Sequence, residues 1–172
     1  MKRSTHLLIG AAAAAPIALT LAPFPAAGCI WFGVAGGAMP DYLDLRSGAR
    51  RVLKHRGVSH SIVIAGLCSL TVFVLLDSVG RAGLAAISIS PALASAWSLA
   101  FACGMLSHLA ADACTVGGIQ PALPFFRRRV WLLPRLFRGR SEGAVNVIGR
   151  IAAVLVLGFA LAIYLLAAMA AK

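Results

Sequence analysis

The chain has 172 residues, of which 60% are hydrophobic and only 12% are charged. Soluble domains carry about 25% charged residues, so this composition excludes an ordinary soluble protein. The net charge of +11 comes from basic residues that stand between apolar segments, as in the cytoplasmic loops of membrane proteins. We therefore predict an all-α, polytopic membrane helical bundle, with one domain over residues 1–172 and no specific nucleic-acid partner.

Five apolar segments follow one another along the chain. They cover residues 7–21, 26–39, 58–79, 91–113 and 147–169. The first two are short for a full crossing and contain prolines, so they form either two spans or a short re-entrant hairpin. The element at 40–44 is expected to end the second segment, either as the last turn of its helix or as a loop after Pro40. Pro91 suits the first turn of the fourth segment.

The first segment also resembles a signal peptide, and residues 26–29 resemble a lipoprotein cleavage site. We favour an uncleaved segment, because a second apolar segment follows it directly and because cleavage would remove His6. Four cysteines lie in or beside apolar segments without a CxxC spacing. They are therefore interpreted as small buried apolar side chains rather than as disulfides or metal ligands.

The basic residues predict an orientation. If all five segments cross, 14 of the 16 Lys and Arg residues lie on the side of the N-terminus, and only Arg81 and Lys172 lie on the other. The positive-inside rule then places the N-terminus in the cytoplasm and the C-terminus outside, in a bacterial-type inner (plasma) membrane.

Histidines and acidic residues converge on the same side, although they were not used to set the orientation. All four histidines and four of the five acidic residues lie there, and only Asp77 lies at the opposite face. The residues predicted to hold metal are His6, Asp41, Asp44, His55, His60, His108 and Asp112. Such a convergence is what a single site would require.

His108 and Asp112 are four residues apart in an apolar segment, so on a helix they share one face. A carboxylate at bilayer depth costs about 2.5–3.5 kcal/mol and normally has a partner or a metal. A structural hydrogen-bonded pair is the alternative. Imidazoles and carboxylates without thiolates suit zinc, with manganese or magnesium as alternatives. The surplus of candidate ligands indicates more than one ion, or residues that orient the ligands.

Three sequence elements carry a resemblance to a known family. They are Pro-Asp-Tyr-Leu-Asp at 40–44, His-Arg-Gly-Val-Ser-His-Ser at 55–61 and Ser-His-Leu-Ala-Ala-Asp at 107–112. In this order they resemble the motifs of the YdjM-like family of membrane-bound proteins described as metal-dependent hydrolases, which implies that activity here. The family spaces its aspartates Asp-x-Asp, so the Asp-x-x-Asp of this chain leaves open whether Asp41 or Asp44 binds metal.

The order of the ligands is also similar, more faintly, to zinc-dependent phospholipase C and P1-type nucleases. That similarity implies phosphoester hydrolysis and a late acidic residue, here Glu142, in the site. Arg56 is predicted to contact an anionic group of the substrate. Residues 124–137 place aromatic side chains among arginines, which indicates an interfacial loop, or alternatively a segment that holds anionic lipid headgroups.

These features favour a membrane-bound hydrolase with a His/Asp metal site at the cytoplasmic face, acting on a phosphoester of a lipid or lipid-like substrate. The alternative is a non-enzymatic membrane metal-binding or docking protein that recruits a cytoplasmic partner through its basic loops. A transporter is disfavoured, because the polar residues cluster at one face instead of forming a path across the membrane.

Overall fold

The computed structural model describes residues 1–44, 46–47, 50–51, 56–84, 88–140 and 143–170. The described residues form five α-helices: α1 (Arg3–Ala18), α2 (Pro23–Leu43), α3 (Ile62–Arg81), α4 (Pro91–Ala113) and α5 (Ala144–Ala170). Between α2 and α3, the two-residue strands β1 (Arg46–Ser47) and β2 (Arg50–Arg51) pair antiparallel. The all-α class is confirmed.

Three helices, α3, α4 and α5, are long and apolar enough to cross a membrane. Of the predicted segments, α4 has the predicted bounds, and α3 and α5 lie within a few residues of theirs. The helices α1 and α2 have 16 and 21 residues and pack against each other. In the part of the chain that the structure describes, three of the five helices meet the length and composition of a membrane span. A helical membrane bundle is thus supported, and five apolar segments are not confirmed.

Residues 40–44 end the second segment, and they do so as the last turn of its helix, because α2 continues through Pro40 to Leu43. A proline inside a helix removes one backbone hydrogen bond and clashes with the carbonyl four residues earlier, at a cost of about 3 kcal/mol. Helix α2 nevertheless packs against both α1 and α4. Tertiary contacts of this kind outweigh local propensity, so the helix carries Asp41 in its last turn.

The helices alternate in direction around a central trio. The helices α1, α2 and α4 pack against one another, α3 packs on α4, and α5 packs on α1. As a result, the starts of α1, α3 and α5 and the ends of α2 and α4 lie at one end of the bundle, which we call the site end. There, the Thr5 hydroxyl donates to the Asn146 side-chain oxygen over 2.8 Å, which joins the start of α1 to that of α5.

The opposite end of the bundle is an apolar core. Ala14, Ala18, Cys29 and Trp97 are buried together there, and the Trp97 indole donates to the Pro25 carbonyl over 2.9 Å. All four cysteines fall among the described residues and are free thiols, with Cys29 fully buried. Cys29 is therefore buried as predicted, whereas the other three cysteines are half-buried.

Glycines allow the backbones of the central trio to approach closely. Gly10 of α1 and Gly104 of α4 both face Gly33 and Gly37 of α2. A Cβ added to Gly10 or to Gly104 would overlap the carbonyl oxygen of Gly33. Small residues are characteristic of such close contacts between membrane helices.

This glycine contact positions polar side chains. His6, Asp41 and His108 each lie four residues from one of the contact glycines, one helical turn nearer the site end. Residues four apart share a helix face, so the three side chains extend from the same three-helix contact. The separation of the helix backbones therefore sets the separation of these side chains.

Candidate metal centre

Five of the predicted site residues meet at the site end. His6 comes from α1, Asp41 from α2, His60 from the turn before α3, and His108 and Asp112 from α4. The three histidines and Asp112 are no more than 1% exposed, whereas the Asp41 side chain is 26% exposed. Polar side chains of this kind are rarely so deeply buried unless they are paired or bind a ligand.

The centre of the cluster is formed by His60 and His108. Their Nε2 atoms are 3.3 Å apart, and Oδ1 of Asp41 lies 3.7 Å from the first and 3.8 Å from the second. Two ligand atoms on a tetrahedral zinc ion, each about 2.0–2.1 Å from the metal, are about 3.3–3.4 Å apart. The spacing of these three side chains suits one divalent ion.

Asp112 closes the other side of the cluster. Its Oδ2 lies 3.8 Å from Nε2 of His60 and 4.0 Å from Nε2 of His108, and its Oδ1 lies 3.4 Å from Nε2 of His6. The His6 ring stacks on the His108 ring at 3.7 Å. His6, His108 and Asp112 thus form a second group that could hold an ion. Among the described residues, the buried Nδ1 of His6 has no hydrogen-bond partner.

The hydrogen bond of His108 defines its tautomer. Its Nδ1 lies 2.7 Å from the carbonyl oxygen of Gly37, and a carbonyl can only accept, so Nδ1 carries the proton. In the neutral ring, Nε2 then carries the lone pair, and this lone pair faces the cluster. Metal-binding histidines commonly donate their second nitrogen to a carbonyl in this way.

His60 is oriented by a relay of two side chains. The Ser59 hydroxyl donates to Oδ1 of Asp44 over 2.5 Å, because an ionised carboxylate can only accept. The same hydroxyl oxygen lies 3.0 Å from Nδ1 of His60 and accepts from it. The Nε2 lone pair of His60 therefore also faces the cluster. The lone pairs of two neutral rings at this distance repel each other, and a cation between them would turn that repulsion into binding.

Arg56 forms a paired contact with Asp112. Its Nε lies 3.0 Å from Oδ2, and its Nη2 donates to Oδ1 over 3.2 Å. The amino group of Met1 also donates to Oδ1 over 2.9 Å. Gly117 makes this arrangement possible, because an added Cβ there would overlap Nη1 of Arg56. Arg56 thus lies at the edge of the cluster, with 17% of its side chain exposed.

The remaining predicted residues divide into three cases. Asp44 does not face the cluster centre, since its Oδ1 lies 3.8 Å from Nδ1 of His60, on the far side of that ring. His55 and Glu142 lie outside the described residues. Asp77 is at the opposite end of α3, as predicted, where it accepts from Arg81 over 2.7 Å.

Sequence reasoning missed the parts that hold the ligands in place. The role of Ser59, the Gly37 carbonyl and the glycine contact were not predicted. A signal for the contact was present, because Gly33 and Gly37 form a Gly-x-x-x-Gly pattern in an apolar segment, which is typical of close helix packing.

Fold and cluster together define a helical membrane protein with a buried His/Asp cluster at one end of its bundle. The chain belongs to the YdjM inner membrane protein family, whose model matches residues 1–172. This confirms the family resemblance of the three sequence elements and the membrane localisation. No curated protein and no solved structure matches the chain.

Proposed function

We propose that this protein is a membrane-bound, metal-dependent hydrolase that acts on a phosphoester of a lipid or lipid-like substrate. The observation that carries the proposal is the approach of the His60 and His108 Nε2 atoms, 3.3 Å apart, with carboxylates on both sides. Each ring is oriented by a hydrogen bond at Nδ1, so the two Nε2 atoms could bind the same ion.

The donor set supports one principal ion between His60 and His108. The Nε2 atom of His108 has a single lone pair and belongs to both candidate groups, so two ions cannot use it at once. Asp41 and Asp112 would complete a His₂Asp₂ set around the principal ion. His6 would take part in a second ion site together with Asp112, and His55 is a further candidate ligand.

Zinc is the proposed metal, with manganese or magnesium as alternatives. Zinc takes histidine nitrogens and carboxylate oxygens in four-coordinate sites, whereas magnesium prefers oxygen ligands and retained waters. When bound, such an ion would supply a Lewis acid for a phosphoryl oxygen and would make a water molecule more acidic.

The residues of the chain itself would bind and orient the substrate. Arg56, at the edge of the cluster, would bind an anionic oxygen of the phosphoester, to which a guanidinium can donate two hydrogen bonds. Glu142, two residues before α5, is proposed as the group that accepts the proton of the attacking water. Burial of the histidines and Asp112 would exclude bulk water and strengthen each of these interactions.

We further propose that all five helices cross the membrane, with the site end at the cytoplasmic face. The 16 residues of α1 and the 21 of α2 correspond to lengths of about 24 and 32 Å, close to the thickness of the hydrocarbon core. The excess of arginine and lysine at the site end supports this orientation. The centre would then face lipid headgroups of the inner leaflet.

The proposal is tested by reconstituting the full chain with zinc in liposomes that contain phosphatidylglycerol and by measuring release of the labelled headgroup. Asp112→Asn should reduce the rate more than the roughly 10–100-fold typical of supporting residues. Asp77→Asn is the matched control, because it makes the same chemical change in an ion pair with Arg81, at the end of the bundle opposite to the site end. Equal rates in the Asp112 and Asp77 variants would refute the proposed centre.

The non-enzymatic alternative is supported by the loop that follows α4. Phe125 and Phe126 are 73% and 70% exposed, and the adjacent Arg127–Arg129 are exposed as well. A docking protein should lose its function when these arginines are replaced by glutamine and keep it in His108→Ala. A hydrolase should show the reverse pattern.

A further inference from the structure

An apolar groove of about 790 Å³ lies beside the metal centre. Its walls come from α1, α4, α5 and the loop before α5, and they include Ile9, Ala110, Phe137 and Ile148. Among the described residues that line it, Arg138 is the one with a charged side chain. A volume of this size is typical of a site for a small organic ligand.

The groove continues along the helices. A second apolar cavity of about 350 Å³ shares Ile9 and Gly149 with it and extends along α1 and α5 to Val156. From Gly149 to Val156 the α5 axis advances about 10 Å. The combined apolar path is therefore elongated along the bundle, which suits a hydrocarbon chain better than a compact ligand.

The groove also touches the metal centre. Met1 lines the groove, and its amino group donates to Asp112 over 2.9 Å. Ala111, the neighbour of Asp112 in α4, lines it as well. A molecule whose apolar part occupied the groove would therefore carry its polar end next to the cluster.

Arg138 places a positive charge at the part of the groove that the loop before α5 forms. Arg138 is held there by two contacts, since its Nε donates to the Leu133 carbonyl over 2.8 Å and its guanidinium lies 4.5 Å from the Trp131 ring centre. The loop is tied to the end of α4, where the Val116 amide donates to the Gly139 carbonyl over 3.1 Å. A fixed guanidinium beside an apolar groove complements the phosphate of an anionic lipid.

We propose that this groove binds one acyl chain of an anionic membrane phospholipid and that Arg138 binds its phosphate. Binding of the lipid requires only the groove and Arg138. The further step, in which the metal centre acts on the bound headgroup, rests on the proposed function.

The test uses the full chain in phosphatidylcholine nanodiscs that contain phosphatidylglycerol with a photoreactive diazirine in its acyl chain. Light should attach the probe to Ala110, Cys114, Val145 and Ile148, which line the groove. Ala110→Phe places an aromatic ring in the groove and should reduce this labelling about tenfold. Ala92→Phe is the matched control, because Ala92 is exposed on the same helix and lies outside the groove, and its labelling should equal that of the wild type.

The contribution of the charge is tested with a second probe. Phosphatidylcholine with the same diazirine should label the groove about fivefold less, the factor expected from one arginine. Arg138→Gln should abolish this difference, whereas Arg135→Gln, an exposed arginine of the same loop, should preserve it. Because phosphatidylcholine also carries a phosphate, equal labelling by both probes in the wild type would overturn the preference for an anionic lipid. Labelling by phosphatidylglycerol that Arg138→Gln leaves unchanged would overturn the assignment of the phosphate to Arg138.

Metal content separates this proposal from the proposed function. Ala110→Phe should lose the lipid label but retain metal, which also shows that the variant is folded, and His108→Ala should lose metal but retain the label. Labelling of the groove that Ala110→Phe leaves unchanged would overturn the lipid site. A protein that binds lipid in the groove without binding metal would refute the hydrolase and leave the lipid site standing.

Discussion

His60 and His108 come from positions 48 residues apart in the chain, yet their Nε2 atoms lie 3.3 Å apart. In each neutral ring the proton is on Nδ1, where it is donated in a hydrogen bond. Both Nε2 atoms therefore carry lone pairs, which repel each other at this distance. With Asp41 and Asp112 on either side, these side chains could hold a cation.

The glycine contact should be required for the site. In Gly104→Ala, the new Cβ would overlap the Gly33 carbonyl oxygen, so α4 must move away from α2. We expect a loss of about 1–3 kcal/mol in the free energy of unfolding, together with weaker metal binding, because His108 lies one turn away. Thermal unfolding in detergent, followed by circular dichroism, measures the first effect.

Gly158→Ala is the matched control for that substitution. Gly158 also lies inside a helix, but an added Cβ there would have no neighbouring atom within 4 Å. Replacement of a helical glycine by alanine without steric conflict should stabilise the protein by about 0.5–1 kcal/mol. If both variants unfold like the wild type, the close contact of α2 and α4 does not exist as described.

Asp41 and Asp44 should differ in their effects on metal affinity. Asp41 faces Nε2 of His60, whereas Asp44 acts on the opposite nitrogen through Ser59. We expect Asp44→Asn and Ser59→Ala to weaken metal binding by about 10–100-fold, as is usual for groups that orient a ligand. Asp41→Asn should weaken it more. Competition with a chelating dye measures the three affinities, and the opposite order for the two aspartates would exchange their roles.

Gly117 should be required for the contact between Arg56 and Asp112, because its lack of a side chain leaves space for the Arg56 guanidinium. In Gly117→Ala, the added Cβ would overlap Nη1 of Arg56, so the guanidinium must shift from its present position beside Asp112. We expect this variant and Arg56→Gln to lose hydrolysis of the phosphoester while they keep the metal. Gly143→Ala serves as control, because the nearest atom to its new Cβ is the Arg140 carbonyl oxygen at 3.4 Å. Retained hydrolysis in Arg56→Gln would exclude a role for Arg56 in the reaction.

Much of the helical arrangement could be predicted from the sequence. Helix α4 was predicted to begin at Pro91 and to end at about Ala113, because Pro91 fits a first helical turn and a loop with Gly117 and Gly118 follows the apolar segment, and both ends agree with the structure. The sequence left open whether α2 ends at Pro40 or continues beyond it, because the contacts that stabilise the helix there come from α1 and α4, which are distant in sequence. Local patterns report propensity, and these contacts override it.

The site itself was predictable as a set of residues but not as a geometry. Charge asymmetry placed the histidines and aspartates at one face, and the structure brings His6, His60 and Asp112 into one buried cluster. The spacing of Asp41 and Asp44 could not tell which of them faces the centre. That depends on the backbone path beyond Leu43, where Asp44 leaves the helix and turns to Ser59.

The metal content of the full chain after purification without chelators tests directly whether the cluster around His60 and His108 binds a divalent ion. Mass spectrometry should find at least one divalent ion per chain, zinc foremost, in the wild type and in Asp77→Asn. His60→Ala and His108→Ala should each lose it while they remain folded by circular dichroism. A folded wild-type protein that neither retains nor takes up a divalent ion would show that the cluster is not a metal centre.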